Sequence, residues 1–264
     1  MLHAATVRPL IMGILNVTPD SFSDGGKYNH ASAAITHAQK MVAAGADILD
    51  IGGESTRPGA DVVSPEEELF RVISIIEQLV EKALAPISID TYKARIAQQA
   101  ANSGAVLIND ISGLTRDPDM ARTVVQTESA VVITYNRGET ANSINLIDDT
   151  RAFFDQAFEQ AANAGIPKAH IWLDPGIGFA KTQLQNFEIL RRLDVLQDYG
   201  CPVLVGLSRK SFIDFLLDRP LDARLPGTLA ANLFALHKGA KIFRVHDVRE
   251  HNDAIKLQTS LSTD

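Results

Sequence analysis

The sequence predicts an α/β protein built as a single (β/α)8 TIM barrel, and three observations carry that prediction. Eight short apolar runs alternate with longer stretches of helical spacing from one end of the chain to the other. That alternation implies parallel βαβ units, and eight of them imply closure. The runs are nearly free of polar residues, as expected of strands covered on both faces. The length of 264 residues suits one closed barrel, with 1–264 as a single domain. An open, doubly wound sheet is the alternative.

In chain order the strands are expected at residues 10–17, 47–52, 87–90, 106–111, 130–135, 171–174, 203–207 and 241–245. Helical spacing marks residues 31–44, 65–84, 93–103, 146–164 and 183–198 between them. Ser64-Pro65-Glu66-Glu67 offers an N-cap serine, a proline in the first turn and a capping-box glutamate. Gly45, Gly104, Gly165, Gly200 and Gly239 each follow a helical run and precede a strand, where a left-handed cap residue fits.

Composition narrows the function. Hydrophobic residues make up 45% and charged residues 22%, ordinary for a globular protein. No apolar run is long enough to cross a bilayer, and no signal-peptide pattern opens the chain, so the cytoplasm is the expected location. The single Cys201, before Pro202 at a strand start, excludes an internal disulfide framework or a Cys-rich zinc site and reads as structural. A formal net charge of −7 argues against nucleic acid as a partner. A phosphorylated small molecule would need cations gathered locally.

Barrel enzymes carry their chemistry on the loops that leave the C-terminal ends of the strands, and here the polar residues gather at those ends. Strand 1 runs into Asn16 and a glycine-rich loop ending at Gly25-Gly26, and strand 2 into Gly52-Gly53-Glu54-Ser55-Thr56-Arg57-Pro58-Gly59. Asp90, Asn109 and Asp174 close strands 3, 4 and 6; Ser208-Arg209-Lys210-Ser211 follows strand 7, and strand 8 ends in Arg244-Val245-His246-Asp247. Arg57, Arg209, Lys210, Arg244 and His246, with the Thr56 hydroxyl, form a set suited to an anion such as pyrophosphate. Asp90, Asn109 and Asp174 suit a flat heterocycle with N–H donors along one edge. Asn16, with phosphate oxygens, suits Mg2+, which takes few protein ligands.

Plainer readings exist for each residue alone. Asp90 serves equally as a cap for the next helix, Arg209 or Lys210 as a solvated charge, and His246 as a structural histidine. Their occurrence together at one end of the strands favours a site. Asp47 and Asp61 lack such company and read as structural or solvent-facing. Residues 176–182 end in Lys-Thr but lack the glycines of a P-loop, since Ala180 and Pro175 occupy those positions.

Residues 12–26 and Asp50-Ile51-Gly52-Gly53-Glu54-Ser55-Thr56-Arg57-Pro58-Gly59 resemble the two signature motifs of the dihydropteroate synthase family. The resemblance continues through Ser88-Ile89-Asp90-Thr91, Ile108-Asn109-Asp110, Leu173-Asp174-Pro175-Gly176-Ile177-Gly178-Phe179, Gly206-Leu207-Ser208-Arg209-Lys210-Ser211 and Arg244-Val245-His246-Asp247. It implies an enzyme of folate biosynthesis, a sulfonamide target, that joins 6-hydroxymethyl-7,8-dihydropterin diphosphate to p-aminobenzoate. Asp90, Asn109, Asp174 and Lys210 would hold the pterin, with Phe179 beside it. Asn16, Thr56, Arg57, Arg244 and His246 would hold the diphosphate, Asn16 through Mg2+. Gly206 belongs to the substrate-binding set, and Ser208 and Lys210 would border the p-aminobenzoate site. Phe22, Asp24 and Pro58, on loops that close over the substrates, would complete that site. Asp90, Lys210, Arg244 and His246 form the implied catalytic set, and a homodimer is the implied assembly.

The chain departs from the family pattern after strand 5, where Tyr135-Asn136-Arg137-Gly138 stands in place of a His-Met pair followed by a residue and glycine. Asn136 is expected to replace an apolar pterin contact with an amide. Ala180 replaces a glycine, and Asp214 stands where glycine is common. A pterin-binding paralogue without catalysis and a folate-dependent methyl-transfer barrel are the alternatives. The intact Asn16, Arg57, Lys210 and His246 weigh against the first, and the diphosphate set against the second.

Overall fold

The structure, a computed structural model, describes residues 8–18, 27–55 and 62–262. Eight strands form one parallel sheet: β1 Leu10–Asn16, β2 Ile48–Gly52, β3 Ile87–Asp90, β4 Leu107–Asp110, β5 Ala130–Thr134, β6 Ile171–Asp174, β7 Leu204–Val205 and β8 Ile242–Val245. Their order is β6-β5-β4-β3-β2-β1-β8-β7. A parallel bridge between Leu173 and Val203 joins β6 to the start of β7 and closes the ring. The (β/α)8 barrel read from the sequence is therefore the observed architecture. All eight expected strands occur; β3 and β6 keep the expected bounds and the other six are shortened at their ends.

The helices between them are α1 Lys27–Ala43, α2 Pro65–Glu81, α3 Ala94–Asn102, α4 Met120–Gln126, α5 Leu146–Ala164, α6 Gln183–Arg191, α7 Ser211–Leu217, α8 Leu225–His237 and α9 Val248–Ser262. The sequence analysis did not place α4, α7, α8 or α9. Seven residues are too few for α4 or α7 to show a period, and Pro226-Gly227 at the start of α8 reads as punctuation. The segment 183–198, expected as one helix, divides at Arg192 into α6 and a 3-10 turn over Leu193–Tyr199.

Local signals decide the ends. Ser64 caps α2 by accepting from the Glu67 amide at 3.2 Å, but the Glu67 carboxylate does not reach back to close a capping box. It binds Arg71 one turn along at 2.8 Å instead. All five helix-stop glycines have left-handed φ, from 64° at Gly200 to 107° at Gly45. Asp47 accepts from Arg8 and from the Ile11 amide at the N-terminal end of the barrel, a structural role. Cys201 is buried against the core.

The core has two shells. A large one lies between strands and helices, and a smaller one fills the barrel with Leu10, Met12, Ile48, Leu107, Ala130, Val132, Trp172, Leu204 and Ile242. Side chains along a strand alternate faces. Counting in twos from these inward residues toward the C-terminal ends reaches Asn16, Asp50, Asn109, Thr134, Asp174, Gly206 and Arg244. The interior is thus apolar at one end and polar at the other, within single strands.

Candidate active site

Strand register sets the polar mouth. Gly52 pairs with Asp90, Asp90 with Asn109, Thr134 with Asp174, and Met12 with Arg244. Arg244 crosses the floor and donates from Nε to Asp50 Oδ2 and from Nη2 to Asp90 Oδ2, both at 2.6 Å. Asn109 Nδ2 donates to the same Asp50 oxygen at 3.1 Å. Asp90 therefore does not cap a helix; the first amide of α3 is bound by Asp117 at 2.8 Å. The remaining oxygens, Asp50 Oδ1 and Asp90 Oδ1, are buried and have no hydrogen-bond partner among the described residues.

The charges here are tightly coupled. Burial raises Asp90 to about 7; Arg244 opposes this, Asp50 and Glu68 reinforce it, and Lys210 opposes it. Burial alone would lower Arg244, but Asp50 and Asp90 more than offset it and hold the guanidinium charged. Burial also raises Asp174, against Lys210 and the Gly176 amide that donates to Oδ1 at 2.7 Å.

Lys210 faces this floor from the loop after β7. Burial lowers it to about 8, with Asp174 opposing. Its ammonium donates to the Ile177 carbonyl and lies 4.5 Å from the centre of the Phe179 ring. Gly206 borders this floor: a methyl there would lie 3.9 Å from both Arg244 Cδ and Lys210 Nζ, an ordinary contact distance. At Gly176 (φ 65°) a methyl would fall 2.0 Å from the Tyr135 carbonyl, so that turn admits only glycine.

His246 and Ser208 meet at the mouth, with Nδ1 and Oγ 2.9 Å apart. Arg209, expected among the anion-binding cations, is turned away: its left-handed backbone (φ 60°) aims the guanidinium at Asp247, which it holds at 3.0 Å and 2.5 Å. Asn16 approaches Asp90 across Gly52; a methyl there would lie 3.5 Å from Asn16 Oδ1 and 3.7 Å from Asp90 Oδ2. Phe22, Asp24, Thr56, Arg57, Pro58 and Asp61 lie outside the described residues.

Two departures from the family pattern have structural accounts. The Asn136 amide donates to the Ile111 carbonyl and accepts from the Gly138 amide, both at 3.0 Å, so it ties backbone together instead of replacing a pocket contact. The inward residue at that strand end is Thr134, whose buried hydroxyl lacks a partner. Asp214 pairs with Arg224 at 3.0 Å, and Arg224 also donates to the Arg209 carbonyl, bracing the loop that carries Lys210. Ala180 sits at φ 46°, a left-handed conformation that glycine adopts without penalty. Ala180→Gly is expected to raise stability by about 1 kcal/mol, or the melting temperature by ~2–4 °C. A lower melting temperature would show that this backbone is unstrained.

Beyond Asp50, the sequence analysis missed Glu54, Glu68 and Lys93. Lys93 Nζ binds both carboxylates and the Val63 carbonyl, each at 2.6 Å, and Glu54 also accepts from Tyr92 and the Val63 amide. This buried cluster fixes Glu54 and Val63, which flank Thr56, Arg57 and Pro58 in sequence. Glu54 stood within a quoted motif, but nothing in its spacing pointed to Lys93.

Known proteins share this arrangement. Residues 12–246 match the pterin binding enzyme family. The dihydropteroate synthase of Clostridium beijerinckii is 46% identical over 251 residues, covering 95% of this chain and 93% of that protein. A crystal structure of the Clostridium difficile dihydropteroate synthase, obtained in the presence of pteroic acid, superposes with a TM-score of 0.94 at 45% identity, covering 97% and 98% of the two chains. The Xanthomonas albilineans dihydropteroate synthase with 4-aminobenzoic acid gives 0.93 at 41% identity, covering 97% and 94%. A barrel of this sequence, with its polar floor at the C-terminal ends of the strands, belongs to the pterin binding enzyme family and, within it, to the dihydropteroate synthases.

Proposed function

We propose that the mouth of this barrel binds 6-hydroxymethyl-7,8-dihydropterin diphosphate and p-aminobenzoate and joins them into 7,8-dihydropteroate with loss of pyrophosphate. The observation that carries the assignment of the floor is the pair of buried carboxylate oxygens, one on Asp50 and one on Asp90, that have no partner among the described residues. A buried acceptor without a donor is costly, and the N–H edge of a pterin supplies donors in one plane. Asp90, Asn109 and Asp174 hold that edge, Lys210 binds the opposite side of the ring, and Phe179 covers it. His246 and Ser208 lie at the mouth, where the diphosphate and the arylamine meet. Thr56 and Arg57 complete the diphosphate site, and Phe22, Asp24 and Pro58 the arylamine site.

The arylamine nitrogen attacks the methylene carbon attached to the pterin as the carbon–oxygen bond breaks. Pyrophosphate leaves with the bonding pair, and the nitrogen then sheds a proton. Positive charge developing on the pterin is stabilised by the Asp90 carboxylate, and negative charge on the leaving group by Arg57 and His246. Holding both substrates in register replaces entropy otherwise lost in a bimolecular encounter.

Mg2+ fits this mouth through a single protein oxygen. Among the described residues no three acidic, His or Cys side chains converge as a metal cage. Asn16 Oδ1 beside Asp90 is a hard oxygen donor of the type Mg2+ accepts and would hold the ion against the diphosphate. When bound, the ion supplies charge neutralisation on the diphosphate.

Phe215 and Leu216 on α7 are 60% and 66% exposed, and Leu217, Leu221 and Phe234 nearby are also exposed. A patch of large apolar side chains of this kind marks an interface, and we assign it to a second copy of the chain. Sedimentation is expected to give twice the chain mass; a monomer at micromolar concentration would contradict this. No described helix is long and apolar enough to cross a membrane.

The division of the site is tested by binding. Asp174→Asn is expected to weaken 6-hydroxymethylpterin by about 10–100-fold, matching loss of a charged hydrogen bond, while inhibition by inorganic pyrophosphate is unchanged. His246→Ala is expected to do the reverse. Equal effects of both variants on both ligands would show that ring and diphosphate sites are not separate.

A further inference from the structure

Residues 176–182, which fail as a P-loop, contain a lysine that the site described above leaves unused. Lys181 is part-buried, and its Nζ donates to three carbonyls: Tyr135 at 2.9 Å, Gly176 at 3.0 Å and Phe179 at 3.1 Å. It also lies 4.0 Å from the centre of the Tyr135 ring. An ammonium has three N–H groups, and here all three are matched. No proton remains for a substrate.

The three acceptors explain what this lysine holds. Gly176 and Phe179 bracket the turn after β6, and the Tyr135 carbonyl belongs to the end of β5. The same turn presents the Ile177 carbonyl to Lys210, the Phe179 ring beneath the Lys210 ammonium, and the Gly176 amide to Asp174 Oδ1. Three carbonyls of one turn thus point to two ammonium groups, those of Gly176 and Phe179 to Lys181 and that of Ile177 to Lys210. Without a cation at Lys181, the Tyr135 and Phe179 carbonyls would lose this donor, and the Gly176 carbonyl would keep only the Phe179 amide. The turn would relax at the residues that touch Lys210 and Asp174.

We propose that Lys181 is a positioning residue for the pterin site: by tying the turn 176–179 to the end of β5, it sets the height of Phe179 and of the Lys210 ammonium over Asp174. Its effect is on ring binding and not on the arylamine. The inference rests on the pterin reading of the floor.

The test uses Lys181→Met, which keeps the length and removes the charge, together with Lys181→Cys in a Cys201→Ala background. Alkylation of that cysteine with 2-bromoethylamine rebuilds an ammonium at the same reach. The Met variant is expected to bind 6-hydroxymethylpterin at least tenfold more weakly, with KM for the pterin diphosphate rising in parallel. Both kcat and KM for p-aminobenzoate are expected to change less than threefold. Alkylation is expected to restore pterin affinity to within about threefold of the unsubstituted protein. Should the Met variant fail to fold, Lys181→Arg carries the test, because a planar guanidinium cannot point three donors at three converging carbonyls; it is expected to weaken the pterin similarly. Unchanged pterin affinity in a folded Met or Arg variant, or no recovery on alkylation, overturns the proposal. Failure of the unsubstituted protein to bind the pterin would instead overturn the reading of the floor.

Discussion

Replacing Lys210 by alanine is expected to lower kcat/KM for the pterin diphosphate by about 100–1,000-fold, the scale for removing one preorganised donor from a site of this kind, while the barrel stays folded. The fold tolerates the change because Lys210 occupies a loop and, among the described residues, its ammonium hydrogen-bonds only the Ile177 carbonyl. Removing an ammonium whose burial already lowers it to about 8 relieves desolvation in the free protein. Asp90→Ala is expected to cost a similar factor, and there too the fold survives, since Arg244 keeps its bond to Asp50. Near-normal turnover by either variant would remove that residue from the mechanism.

The same pair sets the pH dependence. The pterin edge needs an ionised Asp90, and the opposite side needs a charged Lys210. In the free protein these groups titrate at about 7 and about 8. The profile of kcat/KM is expected to be bell-shaped, rising as Asp90 ionises and falling as Lys210 loses its proton. Lys210→Arg, whatever its rate, is expected to remove the alkaline limb. A limb that persists belongs to another group, such as Lys181, which burial lowers to about 7.

Arg244→Met is expected to be the most damaging single change to stability, at about 3–5 kcal/mol near neutral pH, the cost of stripping one partner from a buried charge cluster. Arg244 is only 18% exposed and is the sole cation hydrogen-bonded to Asp50 and Asp90 among the described residues. Its loss leaves two carboxylates facing each other in the floor. The sign of the pH effect follows. Asp90 already has a folded-state value raised above its ordinary one, so its contribution is fully present at low pH and is lost as pH rises toward about 7. Without the guanidinium that value moves higher, so the variant loses more on ionisation. The gap in melting temperature between parent and variant is expected to widen from pH 5 to pH 8. A gap that narrows over this range would mean that the two carboxylates find another partner.

Much of this site was legible because strand chemistry is local. An apolar run with a polar residue at its C-terminal end identifies Asp90, Asn109 and Asp174 without any knowledge of contacts. Asp50 was passed over because it lies inside an apolar run two residues before the polar end. Only its meeting with Arg244, 194 residues later, gives it a role. Arg209 misled for a different reason. A positive charge beside Lys210 reads as a ligand, but one left-handed backbone angle turns it toward Asp247. The expectation for Asn136 was not correctable from the sequence: counting in twos along β5 from Ala130 and Val132 reaches Thr134 and then Asn136, and only the structure separates them, ending β5 at Thr134 and turning the Asn136 amide onto the Ile111 carbonyl. The clamp of Lys93 on Glu54 and Glu68 left no trace in spacing, because its members come from three separate segments.

Transfer of the pterin group to an arylamine is the reaction that every role assigned above serves. The direct measurement is pyrophosphate release from 6-hydroxymethyl-7,8-dihydropterin diphosphate in the presence of Mg2+, with and without p-aminobenzoate. Release that depends on p-aminobenzoate, one pyrophosphate for each dihydropteroate formed, is the predicted result. No release from a protein whose melting temperature still rises with the pterin diphosphate would contradict it, and would leave a pterin-binding protein without catalysis.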